Sequence, residues 1–206
     1  LHQDVHSFPT RRSSDLNLDH LPYDSVALGH ELPLYGFVQE THFSDLLERK
    51  IYTYNCISAC IAYLGYEKGY TDYAEAANDI EITEKIKRIA EVINRCITTV
   101  YNVSMQEQTA FSEMAIRKFQ NRNIKDTVAR NVRDVERKLK PEERIRKPLS
   151  LMQEQGEYSR ELLEVLAAAL RYGMKTKELS QDWDKLVDFY TQGMCEGWKQ
   201  VLHCCK

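Results

Sequence analysis

Read for apolar and polar positions alone, the chain beyond His42 is almost wholly helical in pattern. A first long helix is expected from about Phe43 to Leu64, stopped by Gly65 in a left-handed cap conformation. A second begins near Asp72. The third, from Ile82, carries Ile86, Ile89, Ile93 and Ile97 at helical spacing, and Ser104 caps a fourth that ends near Phe119. The stretch "NIKDTVARNVRDVERKL" repeats the pattern, with Ile124, Val128, Val135 and Leu139 as one stripe before Pro141 breaks the chain. After Pro148 come a short segment, a helix from the Ser159 cap to a stop at Gly173, and two more helical stretches to the C-terminus. No stretch shows convincing strand alternation and no internal repeat is present. The expected fold is all-α, a bundle of about eight helices filling residues 41–206.

One position breaks this pattern. With 100° per residue and Lys50 at zero, Phe43, Leu46, Leu47, Tyr54, Ile57, Ile61 and Leu64 fall within about 60° on either side. Lys50 is thus expected in the middle of an apolar face, while Glu48 and Arg49 fall on its flank or opposite side. An amine removed from water loses part of its preference for the charged form, so its pKa falls from about 10.4 toward the range of a usable base. A neutral amine can take a proton from an alcohol. The plainer alternative is a lysine whose stem lies on apolar surface while its ammonium reaches water. Ser58 at about 80° and Asn55 at about 140° add polar groups along the route from Lys50 to one edge of the helix.

Composition narrows the classes. The 206 residues carry 28 basic and 31 acidic side chains for a net charge of -3, which suggests neither nucleic acid nor an anionic membrane as partner. The six cysteines are scattered through helical segments, as reduced thiols of a cytoplasmic protein would be, and "LHCCK" lacks the separated pairs of a zinc site, so no metal is expected. No apolar run approaches a membrane span, and the first residues lack a signal-peptide core.

The segment "ERKIYTYNCISACIAYLGY" resembles the opening of the C-terminal domain of the mannitol dehydrogenase family, the metal-independent long-chain polyol dehydrogenases. Glu48, Arg49, Lys50, Asn55 and Ala62-Tyr63-Leu64-Gly65 carry the likeness. A second block, "KFQNRNIKDTVARNVRDVERKLKPEERIRKP", is similar to a further family segment, with Arg122 replacing its usual Pro and Glu143 its Asp. The resemblance implies a fold like the C-terminal domain of 6-phosphogluconate dehydrogenase. It also implies Lys50 as general base or acid at the substrate oxygen, Asn55 as hydrogen-bond partner of that oxygen, and Ser58 at the place of the family's histidine. Arg130 and Lys138 correspond to substrate-contacting cations, although on one uninterrupted helix Arg130 points away from the Val128 stripe.

The implied substrate is a sugar alcohol, its phosphate or a sugar acid, and the implied cofactor is NAD or NADP. The cofactor calls for a Rossmann domain with a glycine-rich turn, yet the chain has eight Gly and no G-x-G-x-x-G. The expectation is that this intramolecular Rossmann domain is missing ahead of the helical one, leaving the fragment alone inactive. "FPTRRSSDL" reads as the translation of TTC-CCT-ACA-CGA-CGC-TCT-TCC-GAT-CT, a sequencing-adapter oligonucleotide. Residues 1–16 are therefore expected to be an adapter artefact without order, and residues 17–40 an irregular connector. A competing expectation is a non-catalytic helical interaction module or an inactive relative, with Ser58 marking lost chemistry.

Overall fold

The computed structural model describes residues 21–206, and the chain divides into two compact units, Leu1–Leu47 and Glu48–Lys206. The adapter reading of residues 1–16 lies outside the described residues. Within the first unit the stretch expected to be irregular carries a parallel pair of three-residue strands, β1 (Leu21–Tyr23) and β2 (Phe37–Gln39), with Leu21 opposite Phe37. Between them Asp24 caps the single turn α1 (Ser25–Leu28), its carboxylate accepting from the Val26 and Ala27 N–H groups.

The second unit is all-α, as the patterning predicts. Its longest element is α5 (Ile80–Val100), whose Ile82, Ile86, Ile89, Ile93 and Ile97 are each no more than 1% exposed. Against it pack α6 (Met105–Phe119), α9 (Arg146–Glu154) and α10 (Arg160–Thr176), the last burying ten of its side chains. The unit is completed by α4 (Tyr73–Asn78), α11 (Trp183–Tyr190) and α12 (Glu196–His203). Asp72, Ser104 and Ser159 cap α4, α6 and α10 by accepting from the N–H three residues on, so these starts fall where the sequence places them.

Three expectations need correction. The first helix is not one regular rod: α2 (Phe43–Lys50) passes into a π turn (Ile51–Asn55) and then into α3 (Cys56–Glu67). Gly65 and Gly173 are not helix stops. A Cβ on Gly65 would meet the Ala76 Cβ at 2.7 Å, and one on Gly173 would meet Leu179 at 2.6 Å, so both glycines serve close approach inside helices that continue. The stripe from Val128 to Leu139 is also split, into α7 (Val128–Val132) and α8 (Val135–Lys138), at Asp134 in the left-handed region with φ 62°. The side chain of Glu178 accepts the Val135 N–H at 2.9 Å across this break.

Candidate functional site

The π turn decides which side chains meet. The Cys56 N–H reaches back five residues to the Ile51 carbonyl, so this turn holds one residue more than an α turn. One added residue sets everything downstream back by about 100°, which moves Asn55 from about 140° to about 40° from Lys50, and Ser58 from about 80° to about 20° on its other side. Lys50, Asn55 and Ser58 thus share one face, and all three are half-buried. The expectation of Lys50 at the centre of a continuous apolar stripe is replaced by a polar face opened by the wide turn. The fully buried side of this region is instead Tyr52, Thr53, Cys56 and Ile57.

The surroundings of each group set its chemistry. Burial first, then the charges of Lys118 and Arg144, hold the Lys50 amine below its ordinary range. Lys118 also lies over the Tyr54 ring, 5.6 Å from its centroid, and Tyr54 packs on Phe119 at 4.7 Å. The Asn55 side chain caps no helix N–H. Ser58 is met by the buried Tyr73, whose hydroxyl donates to the serine carbonyl oxygen at 2.9 Å and lies 3.0 Å from its Oγ. Burial pushes the Tyr73 hydroxyl well up, so it stays protonated and remains a donor.

Ser58 also lines a cavity of about 220 Å³ together with Arg130, Arg133, Arg137, Lys138 and Arg144. The split between α7 and α8 falls between Arg130 and Lys138, both of which line it. Tyr63 secures the C-terminal end of α7 by donating to the Val132 carbonyl at 3.2 Å. Lys138 is 6% exposed, its ammonium donates to the Asn131 carbonyl at 2.5 Å, and its pKa is brought down to about 8. Burial is the largest cause, followed by the Arg144 and Arg137 charges, against the opposing pull of Asp134 and Glu178. Arg130 pairs with Asp126 at 3.1 Å and Arg144 with Glu143 at 3.1 Å. Arg144 therefore touches both halves of the site electrostatically, lowering Lys50 and Lys138 alike.

The structure thus brings Ser58, Arg130 and Lys138 to one cavity and puts Lys50 and Asn55 on the helix face that Ser58 shares. Sequence reasoning does not single out Arg133, Arg137, Lys118 or Tyr73 as members. Arg133 and Arg137 follow Arg130 at intervals of three and four, the spacing of one helix face, which is a signal the sequence offers. Among the described residues no three His, Cys, Asp or Glu side chains converge as metal ligands, and no helix is long and apolar enough to cross a membrane.

A half-buried amine beside an amide, a hydroxyl and a cation-lined cavity defines a helical domain suited to holding an oxygen-rich, anionic small molecule. The chain belongs to the mannitol dehydrogenase C-terminal domain family, whose profile matches residues 42–202. It is 28% identical over 165 residues to mannitol-1-phosphate 5-dehydrogenase of Enterococcus faecalis, covering 80% of this chain and 43% of that protein. It is 35% identical over 129 residues to the enzyme of the same name from Caldanaerobacter subterraneus, covering 63% and 33%. The corresponding Pyricularia oryzae enzyme is 31% identical over 144 residues, covering 69% and 36%. The chain spans less than half the length of these curated relatives.

Proposed function

We propose that this chain is the substrate domain of an NAD- or NADP-dependent oxidoreductase that interconverts a polyol phosphate with its keto form, with Lys50 as the proton carrier. The observation that carries this reading is the π turn, which gathers Lys50, Asn55 and Ser58 on one face beside a cavity rich in cations. Family membership and the mannitol-1-phosphate dehydrogenases among the relatives support the reaction class.

In the oxidising direction the neutral Lys50 amine takes the proton of the substrate hydroxyl as the carbon–oxygen bond becomes a carbonyl. In reduction the ammonium returns it. Depression of its pKa by burial and by Lys118 and Arg144 makes the neutral form accessible. The Asn55 amide and the Ser58 hydroxyl donate to the same oxygen, where negative charge builds as the proton leaves. Arg130, Lys138 and Arg144 hold the anionic end of the substrate.

NAD or NADP, when bound, supplies the hydride acceptor. The strand pair of the first unit, three residues per strand around a single helical turn, offers no glycine-rich cradle for a pyrophosphate. The seat of the cofactor is assigned to a Rossmann domain of the intact protein.

The test is turnover by the chain joined in frame to the nucleotide-binding half found at its own locus. Oxidation of mannitol 1-phosphate with NAD or NADP, reduced about 10²–10⁴-fold in Lys50→Ala with folding intact, supports the proposal. Absence of turnover with any polyol, polyol phosphate or sugar acid, despite cofactor binding, overturns it in favour of the non-catalytic module.

A further inference from the structure

Beneath the π turn runs a buried polar chain that the reaction chemistry does not use. Gln108 on α6 is fully buried and uses every polar atom of its amide. Its Oε1 accepts from Arg49 Nε at 2.7 Å, and its Nε2 donates to Thr53 Oγ1 at 2.9 Å and to Asn94 Oδ1 at 3.1 Å. Asn94 on α5 in turn donates to Ser112 Oγ at 2.9 Å, and Ser112 donates to the Thr109 carbonyl at 2.9 Å. Thr53, Asn94, Gln108 and Ser112 are each no more than 4% exposed. Two of Gln108's three partners, Arg49 and Thr53, bracket Lys50 in the chain.

Wide turns of this kind are rare in helices because the backbone gains by returning to α spacing, and they persist where surrounding contacts hold them. Gln108 is placed to do so. It ties the residue before Lys50 and the centre of the π turn to one atom group fixed on two other helices. Return to α spacing turns the chain beyond the turn by about 100° relative to Arg49 and carries Thr53, at its centre, through part of that rotation, away from the amide that also holds Arg49.

We infer that Gln108 is a positioning residue: through Thr53 and Arg49 it keeps the π turn wide and so keeps Lys50 on the face of Asn55 and Ser58. The inference deepens the proposed function, which assigns Lys50 its role. It stands on the register of the turn, so it can be tested without turnover.

The experiment is competitive acetylation of the 206-residue chain with acetic anhydride across pH 6 to 11, read per lysine by peptide mass spectrometry, with an added short lysine peptide as internal reference. The variants are Thr53→Val, which keeps the side-chain shape and removes the hydroxyl, Thr53→Ser, which restores it, and Gln108→Leu. In the parent chain Lys50 is expected to titrate below the reference peptide because of its burial and the neighbouring Lys118 and Arg144 charges. Thr53→Val and Gln108→Leu are expected to move the Lys50 titration up toward that of the peptide, while Thr53→Ser keeps the parent curve. A Thr53→Val chain that folds and loses thermal stability while its Lys50 curve stays unchanged overturns the inference, because the network is then packing alone. So does a parent chain in which Lys50 titrates together with the reference peptide. Should Gln108→Leu not fold, Thr53→Val and Thr53→Ser still decide. Failure of the dehydrogenase assay with these titrations as expected would strike the proposed function and leave the positioning role standing.

Discussion

Two helical regions of this molecule obey different rules. In α5 the apolar positions recur at α spacing for 21 residues, and every isoleucine of the stripe from Ile82 to Ile97 is buried in the bundle core. From Phe43 to Glu67 the same kind of pattern is interrupted by a π turn supported on buried polar side chains, and the interruption is what gathers Lys50 with Asn55 and Ser58. The regular helix puts its apolar face into stability. The irregular one accepts a rarer backbone and a buried amide network, and gains a polar face. A departure from local preference that tertiary contacts actively maintain is a signature of a working site.

The comparison can be broken or sharpened at either end. The largest effect on stability is expected in α5. Ile89→Ala leaves a cavity at a site with 0% exposure and should lower unfolding free energy by about 2–5 kcal/mol, read from the midpoint of urea unfolding. A loss well under about 1 kcal/mol would mean that α5 is not the rigid frame of the bundle.

A smaller effect, of opposite flavour, is expected at the cavity. Lys138 has its folded-state pKa depressed from 10.5 to about 8, so the unfolded chain binds more protons between those values. Stability from this group is therefore fully present above about pH 10.5 and is lost as pH falls to about 8. Removing the amine in Lys138→Met should make the variant gain most, relative to the parent, at and below about pH 8, with the gap closing toward pH 10.5. A difference between the two chains that does not change with pH would show that Lys138 is not held in a desolvated place.

Much of the fold is legible in the sequence because its signals are local. The caps at Asp72, Ser104 and Ser159 act on N–H groups three residues away, and the α5 stripe needs only its own period. Lys50 stands out as a charge in an apolar pattern, and Asn55 and Ser58 as polar groups on its flank. The features that escape a sequence reading depend on distant partners. The π turn rests on Gln108, 55 residues beyond Thr53, and the break at Asp134 on Glu178, 43 residues beyond Val135. Gly65 and Gly173 read as stops because a glycine that permits positive φ and a glycine that permits close approach look alike until Ala76 and Leu179 are in place.

If the register of the π turn makes the site, shifting it by one residue should unmake it. Insertion of one Ala between Lys50 and Ile51 rotates Lys50 by about 100° away from Asn55 and Ser58 while leaving α3 and the α5 core in place. In the protein carrying its nucleotide-binding half, the expected result is a chain that still unfolds cooperatively, with kcat for polyol phosphate oxidation reduced at least about 100-fold, as for loss of a proton carrier. Retained turnover in that insertion variant would contradict a role for the register of the wide turn in building the site.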